Sequence, residues 1–147
     1  MSAQDVAKLR QETGAGILDC KKALEEAAGD FAKAREIITV KGLLKADKKG
    51  DRETGAGHLE AYIHGGRVGV LLEIRAETDF VTRNESFKDC ARNVAMHIAA
   101  VAPESIEDLL TQPYVREPDI NVEAYIKNTI AKVGENIQVS RFTRYEV

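Results

Sequence analysis

Three histidines and two cysteines are the side chains of this sequence best suited to metal binding or nucleophilic catalysis. His58 and His64 are six residues apart in a segment that alternates like a β-strand, which separates them by about 20 Å, too far to share a metal ion. Cys20 and Cys90 each fall on the apolar stripe of a predicted helix, so we interpret them as small core residues. We therefore expect no bound metal and no cofactor.

The other reactive side chains also lack the arrangement that an enzyme needs. The glycine-rich segment TGAG (13–16) ends a predicted helix instead of following a strand, and no lysine stands at the spacing of a phosphate-binding loop. No serine or cysteine can be grouped with a histidine and an acid from these scattered positions. His97 lies beside the apolar stripe of a long helix. Two interpretations stay open for it: a partly buried, hydrogen-bonded histidine, or a contact with a partner. We expect that the chain is not an enzyme.

The composition limits the class of protein and of partner. Of 147 residues, 44% are hydrophobic and 31% charged, which is typical of a soluble globular protein. The formal charge of -3 provides no positive field that would attract phosphate backbones, so we expect no direct contact with nucleic acid. The N-terminal residues do not resemble a signal peptide, and no apolar run reaches the roughly 20 residues that cross a bilayer. We expect a cytoplasmic protein that does not bind membranes.

The first part of the sequence predicts three short helices. Ser2, followed by Asp5 three residues later, is a capping pattern for the first helix, which stops at residues 13–16. Asp30 is placed to cap the third helix, whose apolar pattern closes at Gly42. A charged segment follows, for which two interpretations stay open: a solvated linker, partly helical, or a basic patch that meets an acidic partner. The predicted units are a three-helix domain, a charged linker and a core domain: 1–44, 45–55 and 56–147.

The core domain begins with a predicted β-hairpin. Apolar side chains alternate on both sides of Gly65-Gly66: Leu59, Ala61, Ile63, Val68, Val70 and Leu72. A two-residue turn would pair His64 with Arg67 and place all six on one buried sheet face. The opposite face would then meet water or a partner, and it would carry His58, Glu60, Tyr62, Leu71 and Glu73.

Two longer helices and a terminal strand complete the predicted core domain. Asn84 is the expected cap of the first helix, which ends before Pro103, and Gly134 closes the second. A strand begins at Ile137. We predict an α+β fold in which a three-stranded antiparallel sheet packs against helices on one side.

Asp79 and Phe80 form an acid–aromatic pair between a strand end and a helix start. Loops on a rigid scaffold often carry function, so the pair is a candidate for partner contact. In the alternative, Phe80 packs under the sheet and Asp79 only caps one helical turn. The pattern alone leaves both open.

Five segments of the chain resemble segments of the bacterial elongation factor Ts family, and they occur in the family's order. They are LRQETGAGILDCKKAL (9–24), HGGRVGV (64–70), ETDFV followed by RN (77–81 and 83–84), AMHIA (95–99) and KVGENI (132–137). Together they extend over nearly the whole chain, and an ordered set of five is far more specific than any single motif.

The resemblance implies a ubiquitin-associated-like three-helix domain and a core domain that binds the GTPase domain of elongation factor Tu and speeds GDP release. By similarity, one loop would disturb the magnesium site of the GTPase, with Phe80 as the wedge: Thr78, Asp79, Phe80 and Val81. The N-terminal domain would supply a second contact: Thr13, Gly14, Ala15, Gly16, Ile17, Leu18 and Lys22. An adaptor or ribosome-associated chaperone module of ubiquitin-associated-like type, without exchange activity, remains the alternative.

The chain departs from the family pattern in two places. Many relatives have a core of two similar halves, whereas this sequence has one set of hairpin, helix and terminal strand. The connector 102–119 is too short for the helical hairpin that relatives insert near this point. A single half-core with an exposed sheet face suggests that two chains combine as a homodimer.

Overall fold

The computed structural model describes residues 1–147. Seven helices and five strands follow one another along the chain: α1 Ala3–Thr13, α2 Ile17–Glu26, α3 Phe31–Lys48, β1 Ala56–His64, β2 Val68–Ala76, α4 Asp79–Thr82, α5 Glu85–Val101, α6 Ile106–Thr111, β3 Pro113–Tyr114, β4 Glu117–Asn121, α7 Val122–Val133 and β5 Ile137–Glu146. The main sheet is antiparallel with strand order β1-β2-β5, and helices cover one of its faces. The predicted α+β architecture is confirmed. None of the helices is both long and apolar enough to cross a membrane.

The N-terminal module packs α1, α2 and the first part of α3 around a small core. The predicted capping box is present, because the Ser2 N–H donates to Asp5 Oδ2 at 2.7 Å and the Asp5 N–H donates to Ser2 Oγ at 3.2 Å. Asp30 caps α3 as predicted, accepting the Lys33 N–H at 3.1 Å. The small core contains six buried side chains: Leu9, Cys20, Ala23, Leu24, Ala27 and Ala34.

Helix α3 is longer than predicted. The apolar pattern was expected to close at Gly42, but the helix continues to Lys48 and its Ala46 is buried in the core of the second domain. Gly42 is instead a point of close approach: a Cβ added there would lie 3.2 Å from Cβ of Ala131 on α7. A glycine inside a helix can therefore mark tight helix packing as well as a helix end. Helix α3 crosses the predicted boundary between domain and linker.

The hairpin register differs from the prediction by one residue. The turn at Gly65 and Gly66 forms, since the Arg67 N–H donates to the His64 carbonyl at 3.0 Å. The connection has three residues instead of two, because Val68 takes the position opposite His64 and Arg67 belongs to the turn. A shift of one residue turns every side chain of a strand to the other face.

The two faces of β1 are consequently exchanged relative to the prediction. Leu59 and Ile63, expected in the core, lie on the open face of the sheet, where Ile63 is 67% exposed. His58 lies on the covered face, where its ring meets Phe87 edge-on with centroids 5.8 Å apart and its Nε2 lies 2.9 Å from Glu60 Oε2. On β2 the expected alternation is correct, and Leu72 is fully buried.

The main core lies between the covered sheet face and helices α5 and α7. Asn84 caps α5 as predicted, accepting the Ser86 N–H at 2.8 Å, and α5 ends at Val101 before Pro103. Gly134 ends α7 with φ 78°, also as predicted. The connector between α5 and α7 contains the short helix α6 and the small ladder of β3 and β4.

Candidate functional site

The Asp79–Phe80 pair lies on α4, a single helical turn between β2 and α5. Phe80 is 80% exposed, although aromatic side chains of its size are usually at least partly buried. The Asp79 carboxylate is also exposed and lies 3.3 Å from the Arg83 guanidinium on the same turn. The structure therefore places an apolar ring and an acid side by side in solvent, and the alternative in which Phe80 packs under the sheet is wrong.

The turn that carries Phe80 is held from both sides. Val81 is 5% exposed and belongs to the main core, and the Thr82 hydroxyl donates to the Asp79 carbonyl at 3.0 Å. Thr78 donates twice to the carboxylate of Glu135, from its backbone N–H at 2.9 Å and from its hydroxyl at 2.8 Å. Of the four residues predicted in this loop, Thr78, Asp79 and Phe80 are exposed, whereas Val81 is buried. The hydrogen bonds of Thr78 and the burial of Val81 fix the backbone of the turn.

Glu135 was not among the predicted site residues. Its only signal in the sequence is membership of the segment KVGENI (132–137), where it follows the helix-ending glycine. Nothing in that segment indicates a partner 57 positions earlier in the chain. The contact became visible only in three dimensions.

The predicted N-terminal site lies at the start of α2. Leu18 is 72% exposed and Ile17 is also exposed, so the helix begins with two apolar side chains in solvent. An open groove of about 750 Å³ lies beside Ile17, and Val6, Arg10 and Lys21 contribute to its walls. This surface combines apolar area with positive charge, which suits an amphipathic partner that carries acidic residues.

Four residues before α2 shape this surface. Gly14 has φ 72° and ends α1, with its N–H donating to the Arg10 carbonyl at 2.8 Å. The Thr13 hydroxyl donates to the Leu9 carbonyl at 2.7 Å and accepts the Ala15 N–H at 3.3 Å. Gly16 is the N-cap of α2 and has no side chain to cap it.

Lys22 is the charged member of the predicted N-terminal site. It is exposed, and no carboxylate lies within ion-pair distance of its ammonium group. By contrast, two lysines of the basic segment are already paired: Lys41 with Glu26 at 2.7 Å and Lys45 with Asp19 at 2.9 Å. This pairing favours a solvated face over a basic patch for residues 41–52.

His97 is fully buried and hydrogen-bonded at both ring nitrogens. Its Nε2 lies 2.9 Å from Gln112 Oε1, and its Nδ1 accepts the Val115 N–H at 3.2 Å. Burial lowers the pKa of His97 below its ordinary value, because the charged ring would lose solvation. The contacts favour the buried-histidine interpretation, and the ring offers no surface to a partner.

The remaining candidate groups are the two cysteines and the side chains of metal-binding types. Cys20 and Cys90 are buried free thiols, and burial raises the pKa of Cys90 to about 12, which suppresses its thiolate. No three side chains of the metal-binding types lie close enough together to hold an ion.

A third exposed surface is the open face of the main sheet. Its exposed apolar side chains come from all three strands: Leu59, Ile63, Leu71 and Tyr145. Near its middle, Glu73 accepts from Arg75 at 3.1 Å and from Arg141 at 3.1 Å. These hydrogen bonds lower the pKa of Glu73.

Comparison with known proteins places the chain in one family. The sequence profile of the family described as Elongation factor TS matches residues 77–147, which contain the Phe80 turn and Glu135. The protein named Elongation factor Ts of Rippkaea orientalis is 43% identical in an alignment that covers 99% of this chain and 77% of the relative. The protein named Elongation factor Ts of Carboxydothermus hydrogenoformans is 42% identical in an alignment that covers 100% of this chain and 89% of the relative.

The chain belongs to the elongation factor Ts family. It is therefore a member of a family of translation elongation factors, and the resemblance seen in the five segments is confirmed.

Members of the elongation factor Ts family differ in length. The alignment with the Rippkaea orientalis protein has 192 positions, so that relative carries at least 45 residues without a counterpart among the 147 of this chain. The Nostoc punctiforme member is 49% identical over 146 residues, which is 99% of this chain but only 46% of the relative. This chain is shorter than each of these relatives.

Proposed function

We propose that this chain is a guanine-nucleotide exchange factor for elongation factor Tu and acts in the cytoplasm. The observation that carries the proposal is the solvent-exposed Phe80 on a turn whose backbone is fixed from both sides. A rigid turn loses little conformational entropy when its apolar side chain enters a pocket of a partner. More of the binding energy can then drive a conformational change in that partner.

We propose that Phe80 displaces elements of the GTPase that hold its Mg²⁺ ligands. Mg²⁺ neutralises the phosphate charge of bound GDP, so a small shift of its ligands weakens nucleotide binding without covalent chemistry. Phe80 would enter between elements of the GTPase, and Asp79 would bring a negative charge toward the magnesium and phosphate site. Thr78 and Val81 act through the backbone, since the donors of Thr78 are occupied and Val81 is buried.

The N-terminal surface is proposed as a second contact with the same GTPase. Leu18 and Ile17 provide apolar area, and Lys22 provides an unpaired positive charge. In this arrangement the N-terminal module contributes affinity, while the Phe80 turn changes the nucleotide site.

Release of fluorescent GDP from elongation factor Tu, followed by stopped flow, tests the proposal directly. Addition of the chain should raise the release rate to a plateau. Thermodynamic linkage also requires that saturating GDP weakens the protein–protein complex by the same factor by which the chain weakens GDP binding. Equal affinities with and without GDP would rule out this route. Binding without faster release would instead indicate the adaptor function.

We further propose that two copies associate through the open sheet face. Exposed apolar side chains on all three strands form the kind of patch that marks an interface, and an isologous dimer would cover it on both chains. Sedimentation at micromolar concentration should give about twice the chain mass of 16.2 kDa. Leu71→Glu should shift the mass to that of a monomer, whereas Leu44→Glu, an equally drastic change at an exposed site on α3, should not. A wild-type monomer with full exchange activity would contradict this proposal.

A further inference from the structure

The end of α7 contacts the start of the Phe80 turn through one carboxylate. Glu135 Oε1 accepts the backbone N–H of Thr78 at 2.9 Å, and Glu135 Oε2 accepts the Thr78 hydroxyl at 2.8 Å. The same hydroxyl accepts the Val81 N–H at 3.4 Å, so it serves as donor and acceptor at once. One side chain from a distant element therefore holds both the backbone and the side chain of the residue that caps α4.

A turn of this size needs support from outside. Helix α4 has four residues, and a single helical turn is marginal in water because its ordering costs more than its own hydrogen bonds return. Val81 and Thr82 bury one side of α4 in the core, whereas Thr78, at the start of the turn, is exposed and is held by Glu135. Hydrogen bonds to an ionised carboxylate are stronger than neutral ones, and two of them in parallel also fix direction.

Glu135 is itself held in place by its neighbours. Gly134 ends α7 in the left-handed conformation with φ 78°, and Asn136 is 2% exposed. The Asn136 side-chain amide donates to the carbonyls of Gly50 at 3.3 Å and Arg52 at 2.9 Å, and its N–H donates to Glu77 Oε1 at 2.9 Å. The carboxylate is thus presented from a fixed backbone, which a positioning role requires.

We propose that Glu135 is a positioning residue that sets the direction in which Phe80 points and so the efficiency of nucleotide exchange. The proposal rests on the exchange function proposed above. Glu135 acts on the GTPase only through Thr78 and the turn, so its loss lowers the maximal rate of GDP release and leaves the affinity for the GTPase largely unchanged.

The first test uses the free chain and does not depend on the GTPase. Loss of two hydrogen bonds to a charged group should speed amide hydrogen exchange at Thr78 by about tenfold in Glu135→Ala. Glu135→Gln retains one acceptor oxygen and should give an intermediate rate. Glu104→Ala, at an exposed glutamate whose side chain makes no ion pair, is the matched control and should leave Thr78 unchanged.

The second test measures GDP release from elongation factor Tu over a range of concentrations of each variant. Glu135→Ala should lower the plateau rate by about tenfold and shift the half-saturating concentration by less than about twofold. Thr78→Val, which removes the hydroxyl, should also lower the plateau, whereas Thr78→Ser keeps both donors and should restore it. A purely structural role would lower the amount of folded protein and would not separate plateau from affinity.

The outcomes separate the two proposals. Unchanged hydrogen exchange at Thr78 in Glu135→Ala would overturn the positioning role whatever the GTPase does. A wild-type chain that speeds GDP release, together with a Glu135→Ala variant of equal plateau, would overturn it as well. A wild-type chain that leaves GDP release unchanged would overturn the exchange function, while the hydrogen-exchange result would still decide whether Glu135 holds the turn.

Discussion

The Phe80 turn and the start of α2 both present apolar side chains to solvent at the beginning of a helix, but they are held in different ways. At the start of α2, the backbone contacts that lead into the helix lie within a few residues, and a distant contact, Asp19 with Lys45, comes from α3 of the same part of the chain. The Phe80 turn depends on Glu135, which is 57 positions away from Thr78. A locally held surface can form with its own helices, whereas the Phe80 turn requires the folded core domain.

Phe80→Ala should have the largest effect of these substitutions. It should alter the contact made by the Phe80 turn and leave the contact made by the start of α2 unchanged. We expect the plateau rate of GDP release to fall by about thirtyfold, the equivalent of about 2 kcal/mol for a hot-spot side chain. Because Phe80 is exposed in the free chain, the free energy of unfolding should change by less than about 0.5 kcal/mol. Stopped-flow release and thermal melting of the same preparation measure both quantities.

Val81→Ala is the control for this prediction. Its side chain is buried beside the exposed Phe80, so truncation should cost about 2 kcal/mol of stability. Asp79→Ala should lower the release rate less than Phe80→Ala, since it removes a charge but leaves the apolar ring. If Phe80→Ala melted at a temperature as low as that of Val81→Ala, Phe80 would contribute to the packing of the core instead of contacting the partner.

Leu18→Ala should weaken binding without changing the plateau. Loss of apolar contact area should raise the half-saturating concentration by about fivefold, the equivalent of about 1 kcal/mol. Leu44→Ala, which also truncates an exposed leucine but on the last part of α3, serves as the control. A lowered plateau in Leu18→Ala would show that the two surfaces do not divide affinity and release as proposed.

Gly14→Ala tests the local support of the N-terminal surface. A Cβ at φ 72° should cost about 1 kcal/mol, and it would meet only the flexible side chain of Lys132 at 3.5 Å, an ordinary contact. The melting temperature should fall by about 4 °C. The plateau of GDP release should remain that of the wild type, because the Phe80 turn has its own support.

Lys22→Ala should have the smallest effect. An exposed charge contributes little in salt, so the half-saturating concentration should rise by about twofold at low ionic strength and not at all at about 0.5 M salt. Lys33→Ala, at another exposed lysine, should show neither change. An effect that persists at high salt would mean that the Lys22 side chain packs against the partner instead of acting through its charge.

The features that were predicted correctly from the sequence are those fixed by near neighbours. Capping residues such as Ser2, Asp30 and Asn84 bond within three residues, and Gly134 ends its helix through its own backbone conformation. The three-stranded sheet also followed from alternation. Glu135 could not be found in this way, because its role is defined by Thr78, and four helices and two strands separate these residues along the chain.

The hairpin register shows a second reason for failure. Alternating apolar residues in β1 indicated a buried face, but the open face of this sheet is itself apolar, as Leu59 and Ile63 show. The pattern therefore detected the correct set of side chains and assigned it to the wrong side. The alternation alone does not distinguish the predicted two-residue connection from the three-residue connection that pairs His64 with Val68.

Helix α3 rigidly connects the two proposed contact surfaces, the start of α2 and the Phe80 turn. It begins in the N-terminal module at Phe31 and continues to Lys48. Near its end, Gly42 lies against Ala131 of α7 and Ala46 is buried in the main core. Under the proposed function, the chain is therefore a bivalent ligand with a stiff spacer. Once one contact has formed, a stiff spacer of the correct length gives the other a high effective concentration, and overall avidity can exceed either single affinity. Inserting flexible residues into α3 between Ile38 and Gly42, ahead of the part that packs in the core, should lower that avidity.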